Sequence, residues 1–82
     1  MGEQSGDVRI LVEQIVKALV DEPGQVSVNQ IDGETTVLEL TVAPGDVGKV
    51  IGRQGRVAKA LRSLIGAAGI RAHKRFALEI VE

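Results

Sequence analysis

The hydrophobic positions near the start of the chain recur at the spacing of an α-helix. The apolar side chains that share one face are Val8, Leu11, Val12, Ile15, Val16 and Leu19. Charged residues at steps of four, Arg9, Glu13 and Lys17, mark the opposite face, and a Pro-Gly pair ends the pattern. The pattern predicts one amphipathic helix over about residues 7–21.

The next two apolar segments alternate with a period of two, as half-buried strands do. In the second segment, Leu38, Leu40 and Val42 share one face. The first segment, residues 25–31, alternates less regularly, which indicates a bulge near Gln30. An Asp-Gly pair between the segments favours positive backbone angles in a short turn. Together they predict a β-hairpin with one buried face.

Beyond the hairpin, the pattern predicts a very short helix over residues 47–51, with Asp46 as its N-cap. A Gly-Arg-Gln-Gly sequence interrupts that helix. Apolar residues then recur at helical spacing from residue 57 and predict a second full helix that ends near residues 66–69. Residues 76–81 alternate again and predict a closing strand.

These elements follow one another in the order α-β-β-α-α-β. With so few elements, we expect one three-stranded sheet with the helices packed on a single face, which is an α+β fold. The 82 residues are 44% hydrophobic and 26% charged, a balance typical of one small globular domain. We expect this single domain over residues 7–82, after a flexible N-terminus of residues 1–6.

The composition also argues against several classes of function. The chain has no cysteine, which excludes disulfides and thiolate metal sites. Its one histidine, His73, is a poor basis for a metal site, and its serines have no supporting catalytic motif. We therefore expect no cofactor, no metal and no enzymatic activity. No apolar segment approaches the roughly 20 residues that span a bilayer, so we expect a cytoplasmic protein without a membrane partner.

The charge of the chain is strongly polarised. Residues 1–46 carry two basic and nine acidic side chains, a net charge of −7. Residues 47–82 carry eight basic and two acidic side chains, a net charge of +6. Such asymmetry indicates an anionic partner for the second half, although a small domain can also divide its charge this way by chance.

Three pairs of glycines are spaced by three positions, and only the middle pair, residues 52–55, encloses a basic residue between two helical segments. Because glycine has no Cβ, a phosphodiester can approach such a turn closely. The first turn of the following helix also offers unpaired N–H groups and a partial positive charge. We interpret the turn as a phosphate cradle, with accessible backbone amides at four consecutive positions from Gly52.

Basic residues continue from this turn along the second full helix. Arg56, Lys59 and Arg62 step by three along it, and Lys49 and Arg53 extend the stripe through the turn. The residues of this helix that we expect to turn inward are Val57, Leu61, Leu64 and Ala68. A charged stripe alone is typical of a solvated helix face, but beside a glycine turn it indicates a track for a sugar-phosphate backbone.

The segment GDVGKVIGRQGRVAKALR, residues 45–62, resembles the signature of KH domains, in which an I-G-x-x-G segment joins two helices. The element order resembles that of type II KH domains, and the wider segment APGDVGKVIGRQGR resembles the KhpA-like family of small bacterial RNA-binding proteins. The resemblance covers nearly the whole chain, about residues 7–82. It implies that residues 52–55 clamp about four nucleotides of single-stranded nucleic acid, and that the protein binds RNA. Val50, Ile51 and Val57, with the exposed part of the second hairpin strand, would form an apolar wall under the bases.

The stripe and the resemblance together define the predicted RNA-binding residues. They are Lys49, Val50, Ile51, Gly52, Arg53, Gln54, Gly55, Arg56, Lys59 and Arg62. Because Phe76 is the only aromatic residue, stacking of bases on aromatic rings is unavailable along a groove, and we expect binding of modest specificity.

The resemblance also implies a larger KhpB-like KH protein as a partner. It implies roles in RNA chaperoning, post-transcriptional regulation, cell shape and cell wall biogenesis. An alternative stays open, in which the chain is chiefly an interaction module that forms a homodimer or a heterodimer with another KH protein, and RNA contact is secondary.

Overall fold

Three helices and three strands succeed one another in the predicted order within residues 4–82. These are the residues that the structure, a computed structural model, describes, with side chains from Val8 onward. The helices are α1 (Gln4–Leu19), α2 (Val47–Ile51) and α3 (Arg56–Ala72), and the strands are β1 (Ser27–Ile31), β2 (Thr35–Thr41) and β3 (Arg75–Ile80). The predicted α+β class and element order are confirmed.

The first helix begins earlier and ends earlier than its predicted bounds of about residues 7–21. Its backbone is helical from Gln4 to Leu19. Residues 1–3 of the expected flexible N-terminus lie outside the described residues, so that expectation and the domain bounds stay predictions. The polar face of α1 matches the prediction, because Glu13 pairs with Arg9 at 3.8 Å and with Lys17 at 3.6 Å. Leu11 and Leu19 lie exposed at the edges of the apolar stripe.

The sheet has the order β1-β2-β3, with β1 antiparallel and β3 parallel to the central strand. Register between β1 and β2 runs without interruption from Ser27 opposite Thr41 to Ile31 opposite Val37. The predicted bulge near Gln30 is therefore wrong. The alternation of β1 is irregular because the apolar Ile31 lies on the open face of the sheet, beside Val37.

The loop between β1 and β2 also differs from the short turn that its Asp-Gly pair favoured. The positive backbone φ angles of the described chain lie at four other positions, two of them glycines, so Gly33 does not adopt one. Thr35 and Thr36 pair with β3 instead of with β1. The β1–β2 pairing stops at Ile31 opposite Val37, so residues 32–36 separate the last paired positions and the connection is wider than a two-residue turn.

The core lies between one face of the sheet and the three helices. Its fully buried large side chains are Leu38, Leu40, Val12, Val16 and Val50. On the opposite face of the sheet, Asn29 Nδ2 donates an exposed hydrogen bond of 3.2 Å to Glu39 Oε1. The expectation that the helices cover a single face is confirmed.

Helix α3 buries a different stripe from the predicted one and runs past its predicted end. Its buried residues are Ala58, Leu61, Ile65 and Gly69, while Leu64 is 50% exposed. The inward stripe ends in a glycine because the last turns of α3 lie close to the chain that enters β3. A Cβ on Gly69 would lie 2.5 Å from the carbonyl oxygen of Lys74. Gly69 therefore permits close packing, and neither Gly66 nor Gly69 ends the helix.

The end of α3 is set by His73, whose φ of 57° lies in the left-handed region. The amide of Lys74 donates to the carbonyl of Gly69 at 2.8 Å, and the amide of His73 donates to that of Ile70 at 3.3 Å. These two bonds form a Schellman motif, in which glycine usually occupies the left-handed position. His73 is exposed, as predicted, but its backbone carries the structural role.

Replacement of His73 by glycine should raise the free energy of unfolding by about 1 kcal/mol, because glycine adopts the left-handed conformation without the Cβ penalty. Urea denaturation of the parent and of His73→Gly measures the change. Ala72→Gly is the matched control and should lower stability by about 0.5–1 kcal/mol, since Ala72 is helical. A destabilised His73→Gly would contradict this account of the helix end.

Candidate nucleic-acid interface

The turn between α2 and α3 has an unusual backbone. Gly52 has φ 78° and ψ 169°, a region that only glycine populates readily. Gln54 and Gly55 both adopt left-handed conformations, with φ of 57° and 73°. Three of the four residues from Gly52 to Gly55 therefore have positive φ, and the turn projects between the two helices as a short, sharply defined loop.

The two glycines of the turn have different functions. A Cβ on Gly52 would lie 2.5 Å from Val57 Cγ2 and 2.8 Å from the Val57 backbone nitrogen. Gly52 therefore allows the end of α2 to pack against the first turn of α3. A Cβ on Gly55 would meet nothing within 4 Å, so Gly55 leaves open space beside the turn. Only the second glycine keeps a surface clear for a ligand.

Two of the four amides that we expected to be accessible are used inside the turn. The amide of Gly52 donates to the carbonyl of Gly48 at 2.8 Å, and that of Gly55 donates to Gly52 at 3.0 Å. The amides of Arg53 and Gln54 have no acceptor within the described part of the chain, and both residues are exposed. The expectation of four bare amides is corrected to two adjacent ones at the tip of the turn.

A cleft of about 210 Å³ opens beside the turn. It is lined by Ile51, Gly55, Ala58, Arg62, Ile80 and Glu82. The strand residue in this wall, Ile80, belongs to β3, so the predicted contribution of the second hairpin strand is corrected. Val50 is also corrected, because it is 0% exposed in the core and offers no surface to a base. Val57 is half-buried against Gly52.

The basic side chains around the cleft divide into unpaired and paired groups. Arg53, Arg56 and Lys59 are exposed and make no ion pair within residues 4–82. Arg62 crosses the cleft, where its Nη2 donates to the carbonyl oxygen of Leu78 at 3.5 Å. These three unpaired cations lie along the turn and the first turns of α3, and their contact with RNA stays a prediction.

Lys49 is oriented differently from these three side chains. Its Nζ lies 3.2 Å from Asp21 Oδ2 and 3.7 Å from Asp46 Oδ1. A hydrogen bond and attraction to Asp21, with a smaller contribution from Asp46, outweigh desolvation and raise the pKa of Lys49 above its ordinary value. The ammonium group is held by carboxylates on the side of α1, so its predicted contact with RNA competes with two ion pairs.

We predicted that Asp46 would cap α2, but its side chain makes no capping hydrogen bond to that helix. Its carboxylate instead accepts the backbone amides of Asp21 and Glu22, at 3.2 and 3.0 Å. Asp46 therefore ties the segment after α1 to the start of α2. A short-range capping pattern cannot show this bond, because the residues it joins are about 25 positions apart.

Sequence reasoning missed four residues near the site: Ala58, Ile80, Glu82 and Asp21. Ala58 could have been found from the inward stripe of α3. The other three depend on the placement of β3 and α1 against α2 and α3, which local periodicity does not give. Within the described residues, no group of His, Cys, Asp and Glu is arranged to hold a metal ion. No helix there is long and apolar enough to cross a membrane.

Comparison with known families decides what kind of domain carries this turn. The sequence model of the family described as "KhpA/KhpB, KH domain" matches residues 9–80, which is nearly the whole chain. The chain belongs to this KH-domain family. The element order and the parallel β3 agree with a type II KH fold, so the resemblance stated from the sequence is confirmed.

Several curated members of the KhpA/KhpB family are similar over nearly their full length. "RNA-binding protein KhpA" of Clostridium acetobutylicum is 53% identical over 72 residues, which cover 87% of this chain and 96% of that protein. The protein of the same name from Borreliella burgdorferi is 51% identical, with 88% and 89% covered. That of Aquifex aeolicus is 51% identical, with 88% and 92% covered.

Proposed function

We propose that this chain is a single-stranded RNA-binding protein that grips about four nucleotides at the turn from Gly52 to Gly55. The observation that carries the proposal is the pair of exposed, unpaired amides at Arg53 and Gln54, beside the open flank of Gly55. Two adjacent N–H groups without an acceptor suit the oxygens of one phosphate. The names of the relatives, which are RNA-binding proteins, support the same reading.

The electrostatics of the site favour a phosphate at this point. The N-terminus of α3, a helix of 17 residues, lies directly after the turn and contributes a partial positive charge. Arg53, Arg56 and Lys59 add three full charges that no carboxylate of the described chain neutralises. In the proposed complex, Arg53 faces the phosphate at the turn and the other two follow the backbone along α3.

The cleft beside the turn suits the bases of the same strand. Ile51, Ala58 and Ile80 supply apolar walls, and Arg62 supplies donors at the edge of a base. With no aromatic residue in the lining, the contacts are those of aliphatic side chains, which fit many bases about equally well. We therefore infer modest sequence preference. A role in RNA chaperoning or post-transcriptional regulation, with consequences for cell shape and cell wall biogenesis, is the cellular setting that the resemblance implies.

A second candidate function is association with another KH domain, either a second copy of this chain or a larger KhpB-like protein. The observation that favours it is the exposure of large apolar side chains on α3. Leu64 is 50% exposed and Ile70 is 77% exposed. The two functions are compatible, since pairing of two clefts would raise the effective concentration of each for one RNA.

The salt dependence of binding separates the two candidates. A titration of single-stranded RNA at several salt concentrations should give a slope of about −2 to −3 in log K against log salt, because three or four phosphates are neutralised at about 0.7 each. Sedimentation of the protein alone reports whether it dimerises. A slope near zero would contradict RNA as the main ligand and would favour the interaction module.

A further inference from the structure

Asp46 forms a buried junction between α1 and α2. Its side chain is 3% exposed, and each carboxylate oxygen accepts a backbone amide, Oδ1 from Asp21 and Oδ2 from Glu22. A buried carboxylate is retained without large cost only when its oxygens are bonded in this way. The junction therefore fixes the segment that follows α1 against the residue that immediately precedes α2.

Lys49 closes the same junction from the next turn of α2. Its Nζ contacts Oδ1 of Asp46 and, at a shorter distance, Oδ2 of Asp21. Asp21 thus takes part twice, through its amide to Asp46 and through its carboxylate to Lys49. We call Asp21, Asp46 and Lys49 the acid–lysine cluster.

The cluster holds α2, the helix that leads into the turn. Helix α2 has five residues, too few to be stable without tertiary support, and Gly52 follows its last residue. Val50 anchors its inner side in the core, with 0% exposure. The acid–lysine cluster anchors the side that faces α1. These two anchors together fix the orientation of α2, and with it the direction in which the turn projects.

We propose that the acid–lysine cluster is a positioning element for the turn, and that Lys49 acts through Asp21 and Asp46 instead of neutralising a phosphate. This inference rests on the proposed function. It also changes one residue of the predicted site, since Lys49 lies in the basic stripe of the sequence but its ammonium group is already held by two carboxylates. If Lys49 bound a phosphate instead, the buried carboxylate of Asp46 would lose its ion pair with the Lys49 ammonium group.

Asp21→Asn gives opposite results under the two roles of Lys49. If Lys49 contacts RNA, loss of the competing carboxylate frees it and removes a negative charge, so affinity rises. If the cluster positions the turn, affinity falls by about twofold to fivefold, the range over which one exposed ion pair acts. Asp21 is 77% exposed at its side chain, so the substitution should leave the domain folded.

Glu22→Gln is the matched control for charge. It removes one negative charge at the neighbouring position, and Glu22 enters the cluster only through its backbone amide. The proposal predicts weaker RNA binding for Asp21→Asn than for Glu22→Gln at the same salt concentration. Equal or tighter binding by Asp21→Asn would overturn it. Absence of binding by the parent would instead count against the proposed function.

A measurement without RNA distinguishes failure of the positioning proposal from failure of the proposed RNA-binding function. Amide hydrogen exchange, measured on the free protein, should be faster at Gly52 and Gly55 in Asp21→Asn than in Glu22→Gln, because the hydrogen bonds of these amides hold the turn together. Unchanged exchange at both amides would show that the cluster does not position the turn, whatever the RNA titration gives.

Discussion

Gly52→Ala should lower the free energy of unfolding by about 3–5 kcal/mol. Its φ of 78° and ψ of 169° are accessible to glycine alone, and the new methyl group would overlap both Cγ2 and the backbone nitrogen of Val57. The overlap with backbone cannot be relieved by a change of rotamer. Because a domain of this size has a total stability of about 5 kcal/mol, the variant should be largely unfolded.

Two other glycines of the same segment are the controls for Gly52→Ala. Gly55→Ala should cost about 1–2 kcal/mol, since its φ is also positive but no atom lies within 4 Å of the new Cβ. Gly48→Ala, in the right-handed backbone of α2, should be neutral or stabilising by about 0.5–1 kcal/mol. Thermal and urea denaturation of the three variants measures the order. A Gly52→Ala variant as stable as Gly55→Ala would contradict the close packing of α2 on α3.

The elements of this fold could be predicted from the sequence because each has a clear local pattern. Helix α2 was predicted at its observed bounds, residues 47–51. Leu38, Leu40 and Val42 lie on the buried face that their alternation indicated. Such agreement arises when the periodicity of a segment and its burial coincide.

The predictions that failed depended on contacts between segments distant in the chain. Asp46 satisfies the required spacing for a cap, but the amides after α1 compete for its carboxylate and bind it. Leu64 fits a helical stripe as well as Ile65 does, and the close approach of β3 to α3 selects the second. The parallel pairing of β3 also decides which strand lines the cleft, and no short-range signal reports it.

The candidate site also combines features that local sequence patterns predict with features that depend on distant contacts. The glycine turn and the basic residues of α3 could be located from spacing and charge alone. The burial of Val50 in the core and the ion pairs of Lys49 could not be predicted from the sequence. Both depend on how α2 packs against α1 and the sheet. Backbone amides are a further limit, since the sequence does not say which of the four in the turn are already bonded.

The contacts of the acidic and basic residues explain the polarised charge of the chain. Part of the acidic excess of the first half is used in holding α2, through Asp21 and Asp46. Three unpaired cations of the second half, Arg53, Arg56 and Lys59, lie along the turn and the first turns of α3. The separation of charge along the chain thus places a basic track beside the turn and keeps carboxylates, apart from Glu82, away from the cleft.

The variant with the largest expected effect on RNA binding is Arg53→Asp combined with Gln54→Asp. Each substitution puts a carboxylate beside one of the two unpaired amides, where a phosphate would lie. Affinity should fall by about 100-fold, because charge-assisted hydrogen bonds contribute roughly 1.5–3 kcal/mol each and the new charges repel the strand. The fold should tolerate the change, since both residues are exposed and aspartate accepts the left-handed backbone of residue 54.

Arg71→Asp combined with Gln14→Asp is the control for net charge, because it makes the same total change at exposed positions away from the turn. The measurement that tests the central claim most directly is the affinity of the two double variants and the parent for one single-stranded RNA at fixed salt. The account predicts that affinity falls by about 100-fold in the turn variant and only slightly in the control. Equal affinity of the turn variant and the parent, with both folded, would show that RNA does not bind at Arg53 and Gln54.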